Sequence, residues 1–238
     1  IGTTTNLKFV QPSINLREAM AHRYKEPIHV GSPVVVDSSG VGGIFWTGTD
    51  AVNAAGNAGR GKVYVQEGTY GPVDIAVHYM HFECSSAKGD LNDRGVAFTG
   101  GGSDEALDIT TGVVQVNNCG FYTAPGGGGG GYSAVSIIGN NNFFHDNVII
   151  DADLSGIVLH GPKHNVYDNY ITGSDGYGIV NEPGGDNARI DDNFVQGTGS
   201  DAIVLNGNAE DNVVVGNITD AAITDNSGTS TVVGNEQF

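Results

Sequence analysis

Through the second half of the chain, short apolar runs alternate with breaks rich in Gly, Asn and Asp, and the runs recur at a nearly fixed distance. The segments SAVSIIG, SGIVLHG, YGIVNEP, DAIVLNG and AAITDNS align as one series, led by Val135, Ile157, Ile179, Ile203 and Ile223. Each is answered a little over half a period later by an Asn (Asn147, Asn169, Asn193, Asn217, Asn235), and Leu107 with Cys119 forms an earlier pair of the same kind. A repeat this regular, with steps of roughly 20 to 24 residues, is the mark of a solenoid. The unit is too short for two helices and a linker, and its runs of Val, Ile, Phe and Tyr between turn residues read as strands. A chain that closes one turn at this period lays each strand parallel to its counterpart about 4.8 Å away. Parallel crossovers are right-handed. The expected fold is therefore all-β: a single-stranded right-handed parallel β-helix. Asn147, Asn169, Asn193 and Asn217 are expected to stack at a tight turn as a structural ladder of side-chain amides. Cys119 takes the ladder position one coil earlier. Asn217 also opens the sequon Asn217-Ile218-Thr219, but an inward-pointing ladder Asn argues against a glycan there.

The ends are less regular. We divide the chain into an N-terminal cap or anchor segment, residues 1–47, and a β-helix domain, residues 48–238. Ser13 can cap a short helix that places Leu16, Met20 and Tyr24 on one side with Ala19 beside them. Such a helix either closes the first coil as a lid or lies on the surface of a separate small domain. PVVVDSS after it reads as a strand, and Trp46 as packing before the coils. The run Gly126 to Gly131 reads as a bulge leaving the coil, which accounts for the longer step from Leu107 to Val135. The chain starts at Ile1, so it is expected to be processed or part of something longer. TVVGNEQF ends on a ladder Asn with no obvious cap, so its apolar end is expected to need a partner subunit or another domain.

Charge narrows the partners. Ten Lys and Arg stand against 27 Asp and Glu, a net charge of −17, and beyond Gly95 only Lys163 and Arg189 are basic. Nucleic acid needs a cationic track to replace its counterions, so it is excluded as a partner. No stretch is long and apolar enough for a membrane span, and no signal peptide opens the chain. At molar salt the screening length falls to about 3 Å, so the acidic, Lys-poor surface suits a salt-loving source. Cys84 and Cys119 are too few for a disulfide framework and are read as two buried thiols, with pairing left open if they stack.

Residues 48–71, GTDAVNAAGNAGRGKVYVQEGTYG, carry a family resemblance. An Asp-capped, Ala-rich turn, a Gly-containing loop and the strand and turn RGKVYVQEGTY resemble the entry into the pectate-lyase-like right-handed β-helix superfamily. The resemblance covers roughly residues 45 to 238 and implies the fold. Members include pectate lyases, polygalacturonase-type hydrolases, alginate epimerases and viral tailspikes, so it implies no single activity.

The lyase chemistry of that superfamily needs a basic residue, often with Ca²⁺. Lys163 and Arg189 sit at different places in their repeats, six and four residues before the ladder Asn, without a second cation in register. Of the hydrolase motifs, the chain holds an Asp pair, Asp191-Asp192, but no Asn-Thr-Asp, Gly-His-Gly or Arg-Ile-Lys. Three groups of residues remain as candidates. Asp153 and Asp175 each lie four residues before their Ile, so equivalent loops would stack their carboxylates about 5 Å apart, like a retaining glycosidase pair. Three residues past the same Ile come His160, Glu182, Asn206 and Asn226, a polar row suited to a sugar chain. Asp146, Asp168 and Asp192 precede ladder Asn residues and are expected to repel one another unless a hard cation such as Ca²⁺ bridges them. No other cofactor is implied. His145, His160 and His164 lie at different points of the repeat and do not read as a zinc site. Tyr132, Tyr167, Tyr170 and Tyr177 are candidates for stacking on sugar rings, Tyr177 among the glycan-binding residues.

Two functions follow. The first is a virion or cell-surface spike, a homotrimer that presents its loops to host glycans. The alternative is a secreted, salt-adapted polysaccharide lyase or glycoside hydrolase acting on acidic glycans.

Overall fold

The computed structural model describes residues 34–36, 52–53, 61–88, 95–100, 105–123 and 132–238. The expected helix after Ser13, Trp46 and the Gly126 to Gly131 run lie outside them. From residue 61 onward the chain winds repeatedly through three parallel sheets. Sheet 1 contains Val73–Ile75, Leu107–Ile109, Val135–Ile138, Ile157–His160, Ile179–Asn181, Ile203–Leu205 and Ile223–Asp225. Turn 1 leads to sheet 2, made of Val34–Val36, Lys62–Val65, His81–Cys84, Gln115–Asn117, Phe143–His145, Asn165–Tyr167, Arg189–Asp191, Val213–Val215 and Thr231–Val233. Turn 2 leads to sheet 3, made of Gly68–Tyr70, Val96–Gly100, Gly120–Thr123, Val148–Ile150, Tyr170–Thr172, Phe194–Gln196, Ile218–Thr219 and Glu236–Gln237. Turn 3 returns the chain to sheet 1 one coil further on. The architecture is an all-β parallel solenoid.

The repeat and the register coincide. Leu107, Val135, Ile157, Ile179, Ile203 and Ile223 are successive partners in sheet 1, and Val73 extends the column one coil back. From Val73 to Ile203 these side chains are fully buried, because alternate residues of a strand face the interior and branched apolar side chains fill it. Phe98 stacks on Phe121 at 5.7 Å, with Phe82 and Phe144 tilted against them at 5.6 and 5.7 Å, so sheets 2 and 3 fill the middle of the early coils with rings. The unequal steps have local causes. The coils starting at Ile179 and Ile203 carry two extra residues in turn 1, and turn 3 before Ile223 is four residues shorter than its predecessor. Asn181 faces the interior where most coils have Ile or Leu, and its amide donates to the Gly185 carbonyl at 2.6 Å, bracing the longer turn.

Turns 1 and 2 each need one residue in the left-handed backbone region. In turn 2 it falls on Asn118, Asp146, Asp168, Asp192, Gly216 and Gly234, with φ between 53° and 71°. Asn, Asp and Gly adopt this conformation at least cost. The residue after it points inward. There Asn147, Asn169, Asn193 and Asn217 each donate their backbone N–H and Nδ2 to Oδ1 of the Asn one coil on, at 2.9 to 3.2 Å. The same amides reach the carbonyls of Val116, Phe144, Val166 and Ile190, tying each turn 2 to a strand of sheet 2. Asn217 is fully buried in this ladder, which leaves no room for a glycan.

The cysteines correct the reading of two thiols. Cys84 and Cys119 form a disulfide, with Cα atoms 5.2 Å apart. Sheet 2 pairs Glu83 with Asn117, so the end of one strand lies over the turn 2 that holds Cys119.

Candidate functional site

Because strand residues alternate between interior and exterior, the second residue of each sheet 1 strand lies on the outer face. In order these are Asp74, Asp108, Ser136, Val158, Val180, Val204 and Thr224. Two residues further along, beside turn 1, runs a second outer row. Ile138 pairs with His160, and Glu182, Asn206 and Asn226 continue the backbone ladder through the carbonyls of Leu159, Asn181 and Leu205. Asn206 Nδ2 donates to Glu182 Oε2 at 3.1 Å, so this polar row is linked along the solenoid axis.

Two coils at the early end of this face bring two carboxyls into register. Asp74 and Asp108 are register partners, one coil and hence about 4.8 Å apart along the axis. Burial raises the Asp108 carboxyl above its ordinary pKa; a hydrogen bond with Ser136 opposes this, while the nearby Glu105 and Asp74 charges push it further up and His160 pulls it down. Its Oδ1 is buried and accepts no hydrogen bond. A carboxyl partly withdrawn from water beside two other carboxylates holds its proton more tightly than an exposed one, and a carboxyl whose pKa is raised next to an exposed partner is suited to general acid catalysis. The sequence reading missed this pair. Its signal was the repeated triplet Val73-Asp74-Ile75 and Leu107-Asp108-Ile109, set further apart than any two later repeats, so that the period of the later coils does not reveal it.

Asp153 and Asp175 occupy equivalent places in turn 3, where Asp175 N–H donates to the Ala152 carbonyl and Gly176 N–H to that of Leu154. The charges that act on Asp108 are those of Glu105, Asp74 and His160; Asp153 and Asp175 are not among them. Tyr132 and Tyr177 are each 36% exposed in turn 3, at the opposite end of the sheet 1 strands from the His160 row. That places His160, Glu182 and Asn206 together, with Tyr177 across the face from them.

Asp146, Asp168 and Asp192 are the left-handed residues of turn 2, and their recurrence answers to backbone geometry. Burial raises the Asp168 pKa, with Asp146 and Asp192 adding to it. Among the described residues no three His, Cys, Asp or Glu converge in an arrangement that could hold a metal ion. The histidines are dispersed. His145 stacks on Tyr167 at 4.6 Å outside sheet 2 and approaches Asp146 Oδ2 through Nδ1 at 2.8 Å. His164 is fully buried in turn 1, where burial holds its pKa below the ordinary value. Lys163 is a left-handed residue of turn 1, whereas Arg189 lies on sheet 2 and donates twice to Asp191, at 2.7 and 2.9 Å. Tyr170 stacks on Phe194 at 5.3 Å outside sheet 3. Among the described residues no helix is long and apolar enough to cross a membrane.

No family model matches the chain, and no curated protein matches it in sequence. Among solved structures, the catalytic domain of a GH87 alpha-1,3-glucanase in complex with nigerose superposes with a TM-score of 0.60 at 14% identity, covering 81% of this chain and 35% of that one. The catalytic domain of a GH87 alpha-1,3-glucanase in complex with tetrasaccharides gives 0.58 at 11% identity, covering 82% and 38%. The chain has a right-handed parallel β-helix fold. It spans little more than a third of the length of either glucanase chain. Pectin methylesterase from Aspergillus niger superposes with a TM-score of 0.41 at 13% identity, over 88% of this chain and 86% of that one.

Proposed function

We propose that this β-helix is a polysaccharide-acting enzyme, a glycoside hydrolase that binds a sugar chain along the outer face of sheet 1. The observation that carries this reading is the Asp74–Asp108 pair, register partners on adjacent coils, one carboxyl with its pKa raised by burial and the other exposed. Asp108 gives its proton to the glycosidic oxygen as the bond to the anomeric carbon breaks. Asp74 bonds to that carbon as the leaving group departs, and water, giving its proton to the Asp108 carboxylate, then displaces Asp74 and releases the sugar. The two backbones are one coil apart, about 4.8 Å, a spacing compatible with the roughly 5 Å between the carboxyls of a retaining pair. Further along the axis, Glu182, Asn206 and Asn226 offer acceptors and donors to sugar hydroxyls, and Tyr177 and Tyr132 border the same face.

The glucanase catalytic domains that share the fold are carbohydrate-cleaving by name, which supports a glycan-active reading more than a virion spike. The chain lacks the Asn-Thr-Asp, Gly-His-Gly and Arg-Ile-Lys motifs of polygalacturonase-type hydrolases. Asp74 and Asp108 supply a carboxylate pair that those motifs do not describe. Secretion belongs to the same proposal, since a disulfide such as Cys84–Cys119 persists in an oxidising compartment.

The test is reducing-end release from a panel of polysaccharides by the wild type, Asp108→Asn, Asp74→Asn and the turn 3 variants Asp153→Asn and Asp175→Asn. The proposal expects activity to collapse in the first two variants and to persist in the last two. Collapse in the turn 3 variants alone would move the chemistry to Asp153 and Asp175.

A further inference from the structure

We infer that the glycan accepted by sheet 1 is uncharged, in place of the acidic glycan suggested by the sequence; the inference rests on the hydrolase reading above. Outside the reacting pair, the face and its borders carry Glu105, Asp153, Asp175 and Glu182. No Lys or Arg stands on any described strand of sheet 1. Among the described basic residues, His160 lies on the outer row and Lys163 borders it from turn 1, whereas Arg189 is committed to Asp191 on sheet 2, where Lys62 lies near Glu83, and Lys88 donates to Thr69 beside sheet 3. A uronate or sulfate on each sugar would therefore meet like charge along the track, with no Lys or Arg on the strands to neutralise it, and like-charge contact suppresses a wrong partner strongly.

The hydrogen-bonding chemistry points the same way. Glu182 Oε2 already accepts from Asn206, and the ionised carboxylates of this face are acceptors only. They pair with the hydroxyl donors of a neutral sugar. An ionised sugar carboxylate sets acceptor against acceptor at the same places. The face thus selects by charge as well as by shape, and it does so with groups outside the reacting pair.

Matched ligands isolate the effect: neutral oligosaccharides of several linkages, each beside its C6-oxidised uronate counterpart, titrated calorimetrically into the wild type and Glu182→Gln. At low salt the neutral member is expected to bind about tenfold or more tightly than its oxidised twin, a gap that narrows to roughly threefold in 1 M salt as the screening length falls to about 3 Å. Glu182→Gln is expected to narrow the gap at low salt as well. Equal or tighter binding of the oxidised member at low salt overturns the inference and leaves the hydrolase reading standing. A gap that neither salt nor Glu182→Gln alters also overturns it, because selection would then be steric. Binding of neither member of any pair removes both readings together.

Discussion

Two rows run along this β-helix, one inside turn 2 and one on the outer side of sheet 1, and they obey different rules. The inner row keeps its identity from coil to coil: Asn147, Asn169, Asn193 and Asn217 make the same bonds in the same geometry. Each rung must satisfy the backbone of its neighbour, so any departure leaves a buried donor or acceptor without a partner. The outer row changes identity, from Asp74 and Asp108 through Ser136 to Val158, Val180 and Val204. Nothing in the backbone asks for carboxylates there. In a solenoid, a polar residue that repeats and faces inward reports on architecture, and a charged residue that breaks the repeat and faces outward is the better guide to chemistry.

The largest expected effect that would break this contrast lies at Asp108. Asp108→Asn is expected to lower turnover by about 10²- to 10⁴-fold, the usual contribution of a general acid, while raising thermal stability at neutral pH. The sign follows from the raised pKa: the folded state holds the proton more tightly, so the associated stability is present below the ordinary 3.8 and is lost as pH rises through the folded value. The amide removes that loss. Activity of the wild type should fade over the same rise in pH. Initial rates and thermal melts across pH check both, and a variant that is destabilised yet fully active would reverse the assignment.

Next comes Asn193→Ala, on the inner row. It removes an acceptor used twice by Asn169 and a donor shared among Val166, Asp191 and Asn217. The expected cost is about 3 kcal/mol or more, from several buried groups left unsatisfied, with turnover per folded molecule unaltered. Denaturant unfolding alongside kinetics separates the two. The smallest effect sharpens the contrast within turn 1. Asn142 and Asn212 there accept from the backbone N–H of Val114 and Ala188 through Oδ1, whereas His164 at the equivalent place leaves Nδ1 without a partner. His164→Asn should restore that bond and add about 1 kcal/mol. Because burial holds the folded His164 pKa low, its contribution is full above the ordinary 6.5 and is lost as pH falls below it. The variant should therefore also flatten the melting temperature between neutral and mildly acidic pH.

The sequence was legible where the period held. From Leu107 onward the spacing of Ile and Asn was enough to assign strands, sheet 1 register and the rungs of turn 2. Before Leu107 the step back to Val73 is longer than any that follows, with no ladder Asn to mark it. The Asp74–Asp108 pair, which the sequence reading missed, and the Cys84–Cys119 disulfide, which it left open beside two buried thiols, both span this long coil. The regularity of Asp146, Asp168 and Asp192, read from the sequence as a candidate Ca²⁺ row, has a backbone cause: a turn that needs a left-handed residue, which Gly216 supplies equally well one coil on. The row of His160, Glu182 and Asn206 was readable because it lies within the regular coils.

The most direct test of the account is a crystal structure of Asp108→Asn soaked with a neutral oligosaccharide. The sugar is expected along the outer face of sheet 1, with a glycosidic oxygen within hydrogen-bond distance of the substituted amide and the chain running past His160 toward Asn226. Sugar bound instead against turn 2, or outside sheets 2 or 3, would contradict it.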